Sequence, residues 1–346
     1  MQFTDYLKII IKRQDLSEEQ MSEMLSEIFS GTVTDAQIGA FMAALAVKGE
    51  TFEELAGAAR AMRAKAARIQ TVSRKAVDTC GTGGDSSGSF NISTTTAFVV
   101  AGCGVTVAKH GNRSISSKCG SADVLEALGV NINTHPEVVE EAVNSIGIGF
   151  LFAPTFHSAM RYAGKARKEV GIRSIFNMLG PLTNPAAARC QLLGVFAPQL
   201  TEMFAQALKL LGTHHAFVVH GHDGMDEITV CTQTRISELK DGLIRSYDLD
   251  PIEFFGEYAN PEELKGGDAK TNAAITTAIL NGDNDTKNGK GKAKRNIILI
   301  NSAAALVAAD AADNLSDGIK KAAESIDSGR AMEKLKQLAK FTQENG

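Results

Sequence analysis

The sequence contains no tryptophan, only 7 prolines in 346 residues, and 5 cysteines that never form a CxxC pair. An odd number of scattered cysteines excludes a disulfide framework and a cysteine zinc site, and it indicates a reducing compartment. No apolar run approaches the roughly 20 residues that span a bilayer. Residues 1–14 mix charged and apolar side chains, which is not typical of a secretory signal. We therefore expect a cytoplasmic protein.

An excess of positive charge is also absent. The formal net charge is -4, which argues against a general nucleic-acid binder, because such proteins depend on a positive field. Hydrophobic residues make up 44% and charged residues 22% of the chain, which is the balance of a globular protein. At roughly 150 residues per domain, the length predicts two domains.

The first 70 residues predict a small all-helical domain. Three capping boxes each mark the start of a helix: Ser17 with Gln20, Thr34 with Gln37, and Thr51 with Glu54. Behind the first two boxes, apolar residues recur at helical spacing until Gly31 and Gly49. Methionines lie on these apolar stripes, and we expect them to pack in a core or between subunits rather than to bind a ligand.

Beyond Arg74 the pattern changes to short apolar strands that alternate with capped helices. The strands are predicted at 76–78, 104–108, 148–152, 191–196 and 216–220, and the helices between them at 93–101, 122–128, 136–146 and 201–211. Such alternation predicts an α/β domain with a mostly parallel central sheet flanked by helices. Residues 236–250 are predicted to add an antiparallel insert that turns at Asp241-Gly242, and helices return from Asn296 onward.

A glycine-rich loop, CGTGGD at 80–85, follows the first of these strands. Glycine allows backbone N–H groups to converge on an anion, although the segment is neither a Walker A motif nor a GxGxxG fingerprint. The next helix opens with the amide and hydroxyl side chains of NISTTT at 91–96, and a helix N-terminus attracts phosphate. We expect Ser93 or Thr94 to cap this helix.

Two more groups of polar residues belong to the same edge of the predicted sheet. The strand at 104–108 runs into KHGNR at 109–113, whose two cations would balance phosphate charge. Asp226 and Glu227, beyond the strand at 216–220, are hard oxygen ligands suited to Mg²⁺. The three elements together predict a site for a highly phosphorylated ligand. The histidines between 214 and 222 lie on both sides of their strand, so we favour His110 and His157 over a metal cluster.

In combination, seven motifs resemble the anthranilate phosphoribosyltransferase family over essentially the whole chain. They are GTGGD at 81–85, NIST at 91–94, KHGNR at 109–113, GSADVLEALG at 120–129, FLFAPTFH at 150–157, GIRSIFNMLGPLTNP at 171–185 and GMDEIT at 224–229. The resemblance implies a nucleoside-phosphorylase-type pairing of a helical domain, 1–72, with an α/β domain, 73–159 and 188–346. It also implies that 160–187 return to the helical domain, and that two copies form a homodimer through that domain.

The implied reaction is the second step of the tryptophan branch from chorismate. It transfers phosphoribose from phosphoribosyl pyrophosphate (PRPP) to the amine of anthranilate and releases pyrophosphate. By resemblance, PRPP would be held by Gly81, Gly83, Gly84, Asp85, Ser89, Asn91, Ile92, Ser93, Thr94, Lys109 and Ser121. Anthranilate would be held by Gly81, His110, Asn112, Pro154, His157, Tyr162, Arg167 and Gly180, with Arg167 facing its carboxylate. Two Mg²⁺ per subunit would be held by Ser93, Asp226 and Glu227.

No residue is predicted to act as a catalytic general base. Breaking the C1–pyrophosphate bond builds negative charge on the leaving group, which Mg²⁺, Lys109 and backbone amides would stabilise. The aromatic amine of anthranilate is neutral at pH 7 and already nucleophilic, so positioning is expected to suffice.

The sequence departs from the family pattern in two places. Ser86 stands where the family often has glycine, which predicts a stiffer loop, and the lysine-rich stretch 282–295 is predicted to be a solvated insertion. Three alternatives remain: a pyrimidine nucleoside phosphorylase, a non-catalytic paralogue that binds nucleic acid, and a structural metal-binding protein. The KHGNR motif with Asp226-Glu227 argues against the first, and the net charge of -4 against the second.

Overall fold

The computed structural model describes residues 1–85, 87–114, 118–283 and 290–346. Four helices come first: α1 Phe3–Ile11, α2 Glu18–Phe29, α3 Asp35–Lys48 and α4 Phe52–Lys65. Helices α2, α3 and α4 each begin at a predicted capping box, in which a serine or threonine side chain accepts a hydrogen bond from the third helical N–H. The three predicted starts are confirmed.

Within the described residues, seven strands form one sheet in the order β3-β2-β1-β4-β5-β6-β7. They are β1 Val77–Gly81, β2 Val107–Gly111, β3 Ile148–Phe152, β4 Cys190–Gly194, β5 His215–Gly221, β6 Thr234–Lys240 and β7 Leu243–Leu249. The first five run parallel, and β6 and β7 form the antiparallel insert that turns at Asp241-Gly242. The predicted fold class is confirmed.

Helices lie between and after the strands. They are α5 Ile92–Gly102, α6 Ser121–Ala127, α7 Pro136–Ser145, α8 Ala153–Phe156, α9 Arg161–Val170, α10 Ile175–Met178, α11 Leu200–Leu210, α12 Ile252–Phe255, α13 Ala269–Leu280, α14 Lys290–Ala308, α15 Leu315–Asp327 and α16 Arg330–Asn345. Three 3-10 turns occupy Ser158–Met160, Gly180–Leu182 and Pro261–Leu264. In the described part of the chain, no helix is long and apolar enough to cross a membrane.

The sheet separates two hydrophobic cores. Side chains of one face, including Val107 and Leu192, pack with α5, α14 and α16. Side chains of the other face, including Leu193 and Val218, pack with α11 and with the N-terminal helices. Met21, Met24 and Met42 are buried in this second core, which confirms that the methionine stripe packs in a core. The helical unit is therefore continuous with one face of the sheet.

The segment after β3 packs against the N-terminal helices. Ala163 and Ala166 of α9 belong to the same core as those helices. The ring of Phe176 in α10 lies 6.4 Å from that of Phe29 and 6.3 Å from that of Phe41, edge to face in both cases. Because α9 and α10 bury their apolar side chains here, this segment faces the helical unit.

Strand β2 begins three residues later than the strand predicted at 104–108. Gly104 has φ +88°, a left-handed conformation that favours glycine, and it forms the turn before the strand. As a result Lys109 and His110 lie inside β2, where alternation sends neighbouring side chains to opposite faces of the sheet. Because of this alternation, Lys109 and His110 contact different groups.

Helices resume earlier than the predicted Asn296, with α13 and α14 already helical before it. The described end of the lysine-rich stretch belongs to α14 and buries Ala293, so the expectation of a solvated insertion is wrong there. It makes two ion pairs, Lys292 with Glu257 at 2.6 Å and Arg295 with Asp327 at 2.8 Å. The predictions for Ser86 and for 284–289 fall outside the described residues.

Candidate functional site

The glycine loop after β1 lies against the acidic loop after β5. Gly83 and Gly84 have φ +65° and +76°, and the N–H of Gly83 donates to Oδ2 of Asp226 at 2.8 Å. A Cβ at Gly81 would collide with the Asp226 carboxylate, and one at Gly194 with the Asp226 carbonyl oxygen. Glycine at these two strand ends is therefore what lets the acidic loop approach the sheet edge.

Helix α5 directs its N-terminus at the same loop. The N–H of Ser93 donates to Oε1 of Glu227 at 3.1 Å. Asn91 occupies the N-cap position without a side-chain capping bond, so the expectation that Ser93 or Thr94 caps this helix is wrong. Both are inside the helix, and Oγ1 of Thr94 is buried with no hydrogen-bond partner among the described residues. The side-chain hydroxyls of Ser93 and Thr94 therefore do not cap this helix.

Three carboxylates converge beside these donors. Burial and the neighbouring Asp85 carboxylate raise the pKa of Asp226 to about 7. Burial and Asp226 raise the pKa of Glu227 well above its ordinary value. Their mutual repulsion would be relieved by a cation placed between them.

Protein side chains alone do not complete a metal centre here. Across the described ranges, no group of three or more His, Cys, Asp and Glu side chains is arranged to hold a metal ion. A cation bound to Asp226 and Glu227 would therefore take its other ligands from hydroxyls such as that of Ser93, from water or from a bound anion.

Lys109 brings a buried positive charge to this group. Its side chain is 3% exposed, and its Nζ donates to the Thr79 carbonyl oxygen and, at 3.3 Å, to Oγ of Ser93. Burial lowers the pKa of Lys109, while the Asp78 and Glu227 carboxylates oppose that shift. The ammonium therefore reaches the start of α5, where a phosphate group would also approach the helix N-terminus.

Whereas Lys109 contacts the start of α5, Arg113, the second cation of the KHGNR motif, forms ion pairs with carboxylates. It pairs with Asp123 at 2.9 Å and with Glu126 at 2.5 Å, both on α6. These two carboxylates balance the charge of Arg113. The expectation that both cations of the motif would balance phosphate charge is therefore wrong for Arg113.

On the opposite face of β2, His110 and His157 form a buried pair. Their Nε2 atoms are 3.1 Å apart, and Nδ1 of His110 is 3.0 Å from the Gly180 carbonyl oxygen. Since a carbonyl only accepts, Nδ1 of His110 carries the proton and Nε2 of His157 donates to Nε2 of His110. Burial lowers the pKa of His110 to about 3 and that of His157 to about 4, so both rings are neutral at pH 7.

A buried carboxylate–amide pair, which the sequence analysis missed, supports this strand. Asp78 accepts from the N–H of His110 at 3.1 Å and from Nδ2 of Asn184 at 2.8 Å, and Asn184 also donates to the Ala108 carbonyl oxygen at 2.8 Å. Burial raises the pKa of Asp78 to about 6. In the sequence, the indication for this pair was that Asn184 lies near the end of the motif at 171–185.

The other candidate residues lie in loops or in the first turn of short helices. Ser121 and the backbone of Asn112 exchange hydrogen bonds at 3.1 Å. Pro154 is exposed on α8, and Ser89 pairs with Lys265 in an isolated β-bridge. Gly180 begins the 3-10 turn that meets His110. Apart from Gly180, these residues follow the ends of β1, β2 and β3 along the chain.

Two more candidates lie on α9. Tyr162 is 37% exposed, with its ring against Gly31 and 4.8 Å from the guanidinium of Arg161. Arg167 is partly buried over the Phe176 ring at 5.5 Å and, among the described residues, makes no ion pair. Burial lowers the pKa of Arg167, yet the guanidinium stays charged. It is available to an acidic ligand.

The four histidines between 214 and 222 have separate partners. His214 lies 3.3 Å from Asp310, His215 2.9 Å from Glu238, His220 2.7 Å from the Val195 carbonyl oxygen, and His222 3.2 Å from Asp248. They do not converge, so the alternative of a structural metal-binding protein loses its only support.

Comparison with known proteins agrees with this geometry. A family model described as "Glycosyl transferase family, a/b domain" matches residues 73–332, and one described as "Glycosyl transferase family, helical bundle domain" matches residues 4–66. The anthranilate phosphoribosyltransferase of Desulfosudis oleivorans is 65% identical over 99% of this chain and 100% of its own length. That of Syntrophobacter fumaroxidans is also 65% identical, over 99% of both chains.

This chain belongs to the anthranilate phosphoribosyltransferase family.

Solved structures of the family superpose on the whole chain. The Thermus thermophilus enzyme gives a TM-score of 0.91 at 39% identity and covers 98% of this chain and 99% of its own. The Saccharomyces cerevisiae enzyme in complex with PRPP and Mg gives 0.89 at 28% identity, with 99% and 98% covered. The family resemblance indicated by the motifs is confirmed, so the alternatives of a nucleoside phosphorylase and of a non-catalytic paralogue are wrong.

Proposed function

We propose that this chain catalyses the reaction of its family, the transfer of the phosphoribosyl group from PRPP to the amine of anthranilate. The products are N-(5-phosphoribosyl)anthranilate and pyrophosphate. One observation carries the proposal: the N-terminus of α5, Lys109 and the Asp226-Glu227 pair converge at one sheet edge. Such a cluster suits a ligand that is both highly phosphorylated and bound with a cation.

PRPP occupies the side of β2 that Lys109 faces. Its contacts are proposed to come from the glycine loop, the start of α5 and the turn before α6: Gly81, Gly83, Gly84, Asp85, Ser89, Asn91, Ile92, Ser93, Thr94, Lys109 and Ser121. Lys109 supports this placement because its buried ammonium lies within 3.3 Å of Ser93 at the helix N-terminus. Negative charge that develops on departing pyrophosphate would be stabilised by this fixed cation without reorganisation.

Two Mg²⁺ per subunit are proposed to bind at Ser93, Asp226 and Glu227. The donor set fits, because it consists of hard oxygens, and a bound cation would counter the rise in pKa that burial and the neighbouring carboxylates cause. The yeast structure that holds PRPP also holds Mg. When bound, Mg²⁺ supplies charge neutralisation to the pyrophosphate leaving group.

Anthranilate is proposed to approach from the other side of β2. The contacts come from Gly81, His110, Asn112, Pro154, His157, Tyr162, Arg167 and Gly180. The neutral histidine pair gives a surface without charge for the aromatic ring, and Arg167 offers its guanidinium to the carboxylate. The related yeast enzyme has been solved with 4-fluoroanthranilate.

No general base is proposed. Nδ1 of His110 donates to the Gly180 carbonyl oxygen and its Nε2 accepts from His157, so both ring nitrogens are committed. The lowered pKa of His110, about 3, also makes it a weak base. Holding the neutral amine in line with C1 of the ribose is the contribution assigned to the protein.

The assembly is proposed to be a cytoplasmic homodimer joined through the helical domain. Ile11 and Val47 of the helical unit are 63% and 70% exposed, and burying such side chains between copies would be favourable. The proposed domains are 1–72 with 160–187, and 73–159 with 188–346. The shared core of α9, α10 and the N-terminal helices supports the first grouping.

One assay tests the reaction. Anthranilate fluorescence should fall when PRPP and Mg²⁺ are added to the purified protein, and EDTA should prevent the fall. Replacing PRPP by ribose 5-phosphate is the matched control, since it lacks the pyrophosphate leaving group. A folded protein that shows no magnesium-dependent loss of fluorescence would contradict the proposal.

A further inference from the structure

Asn272 of α13 lies in the second layer of the phosphate side and uses both ends of its amide. The side chain is 2% exposed. Its Oδ1 accepts from the N–H of Gly267 at 2.7 Å, and its Nδ2 donates to Oδ1 of Asn91 at 2.9 Å. A buried amide with both ends engaged cannot rotate without losing hydrogen bonds, so its orientation is fixed.

This orientation sets that of Asn91. A backbone N–H can only donate, so the contact with Gly267 identifies Oδ1 of Asn272 and leaves Nδ2 toward Asn91. Oδ1 of Asn91 therefore accepts, and it also accepts from the Cys119 thiol at 3.3 Å. Its Nδ2 is turned away from Asn272, with one N–H directed at the Cys119 carbonyl oxygen at 3.3 Å. Its second N–H has no partner among the described residues.

The segment before α13 is anchored to the chain that leads into α5. The N–H of Gly266 donates to the Gly88 carbonyl oxygen at 2.9 Å, and that of Phe90 to the Leu264 carbonyl oxygen at 3.2 Å. A Cβ at Gly266 would collide with the Phe90 backbone, so glycine is needed for this approach. The distance between Asn272 and Asn91 is thus held by backbone as well as side-chain contacts.

We propose that Asn272 is a positioning residue for PRPP binding, which fixes the Asn91 amide so that its free N–H is presented to an oxygen of PRPP. The proposal rests on the role proposed above for Asn91 in the PRPP site. It assigns a function to α13, which contributes no residue to the set of direct contacts.

The test is Asn272→Asp, which puts a carboxylate oxygen opposite Oδ1 of Asn91 at nearly constant volume. The expected result is a KM for PRPP raised about tenfold, the worth of one hydrogen bond, with the KM for anthranilate changed less than about twofold. Asn281→Asp, the same change at the exposed C-terminal end of α13, is the matched control and should leave both constants unaltered. Thermal unfolding checks that the variants are folded, and Asn272→Ala replaces Asn272→Asp if the latter is not.

Asn91→Ala separates the two proposals. If Asn272 acts through Asn91, adding Asn272→Asp to Asn91→Ala should raise the KM for PRPP no further. A full additional increase, or an unchanged PRPP KM in folded Asn272→Asp, would overturn the positioning role. An unchanged PRPP KM in Asn91→Ala alone would instead overturn the proposed PRPP contact of Asn91.

Discussion

Lys109 and His110 are neighbours in β2, yet they face different surroundings. On the Lys109 face lie an ammonium, the start of α5 and carboxylates whose pKa values burial and mutual repulsion raise. On the His110 face lies a histidine pair whose pKa values burial lowers, so that it carries no charge. Burial disfavours charge on both faces: it keeps the histidine pair neutral, and it raises the pKa values of the carboxylates near Lys109.

The difference fits the two chemically unlike substrates that we propose for the two sides of this strand. The acidic pair beside Lys109 suits a ligand that brings Mg²⁺. A neutral face, in which hydrogen bonds satisfy the polar atoms of His110, suits a flat aromatic ring.

The largest effect is expected from Asp226→Asn on the charged face. Removing one carboxylate of the pair should lower kcat/KM by about 100-fold or more at fixed Mg²⁺, because charge stabilisation of the leaving group is lost. It should also shift the magnesium concentration needed for half-maximal rate. Steady-state kinetics over a Mg²⁺ titration measures both quantities.

Asp223→Asn is a suitable control, since Asp223 lies in the same loop and accepts from the Thr229 hydroxyl at 2.6 Å rather than from the glycine loop. Unchanged magnesium dependence in Asp226→Asn would remove this carboxylate from the metal site and weaken the contrast between the two faces.

A smaller effect is expected from Arg167→Ala, which tests the proposed anthranilate site. The guanidinium has no ion pair among the described residues, so its loss should be felt mainly by a ligand with a carboxylate. The KM for anthranilate should rise roughly 10- to 100-fold, the worth of a charge-assisted hydrogen bond, and that for PRPP much less.

Lys168→Ala, the exposed neighbour on α9, is the matched control and should change neither constant. An equal increase in both KM values for Arg167→Ala would mean that the residue supports the helix rather than the substrate.

Much of this contrast could be predicted from the sequence. The capping boxes located α2 to α4, and the motifs placed the glycine loop, Lys109 and Asp226-Glu227 at one sheet edge. The face of each side chain could not be predicted, since it depends on the strand register. Strand β2 begins at Val107, three residues after the predicted start, so Lys109 and His110 lie within the strand and point to opposite faces of the sheet.

The supporting residues could not be predicted for another reason. Asp78, Asn184 and Asn272 act through contacts with residues far away in sequence, such as the bond between Asn272 and Asn91. Buried amides have no local signature, because their role is defined by partners that only the fold brings together. Likewise, the roles of Arg113 and Lys109 could not be distinguished from the sequence, because the ion pairs of Arg113 with Asp123 and Glu126 on α6 depend on the fold.

The smallest expected effect is on the pH dependence of folding stability. It has opposite signs for His157 and Asp226, which lie on the two faces compared above. The pKa of His157 falls from 6.5 to about 4 on folding, so the unfolded chain binds more protons between these values. Its contribution to stability is complete above pH 6.5 and is lost as the pH falls toward 4. At pH 5.5 the loss relative to pH 8 is about 1.4 kcal/mol, or tenfold in the unfolding constant.

Asp226 acts in the opposite direction, because its pKa rises from 3.8 to about 7 on folding and the folded chain gains the proton first. In EDTA, His157→Gln should therefore lose less stability than the wild type between pH 8 and pH 5.5, and Asp226→Asn should lose more. Urea unfolding midpoints at the two pH values measure this. If both variants shifted in the same direction, the two faces would not differ in the way that buried charge is held.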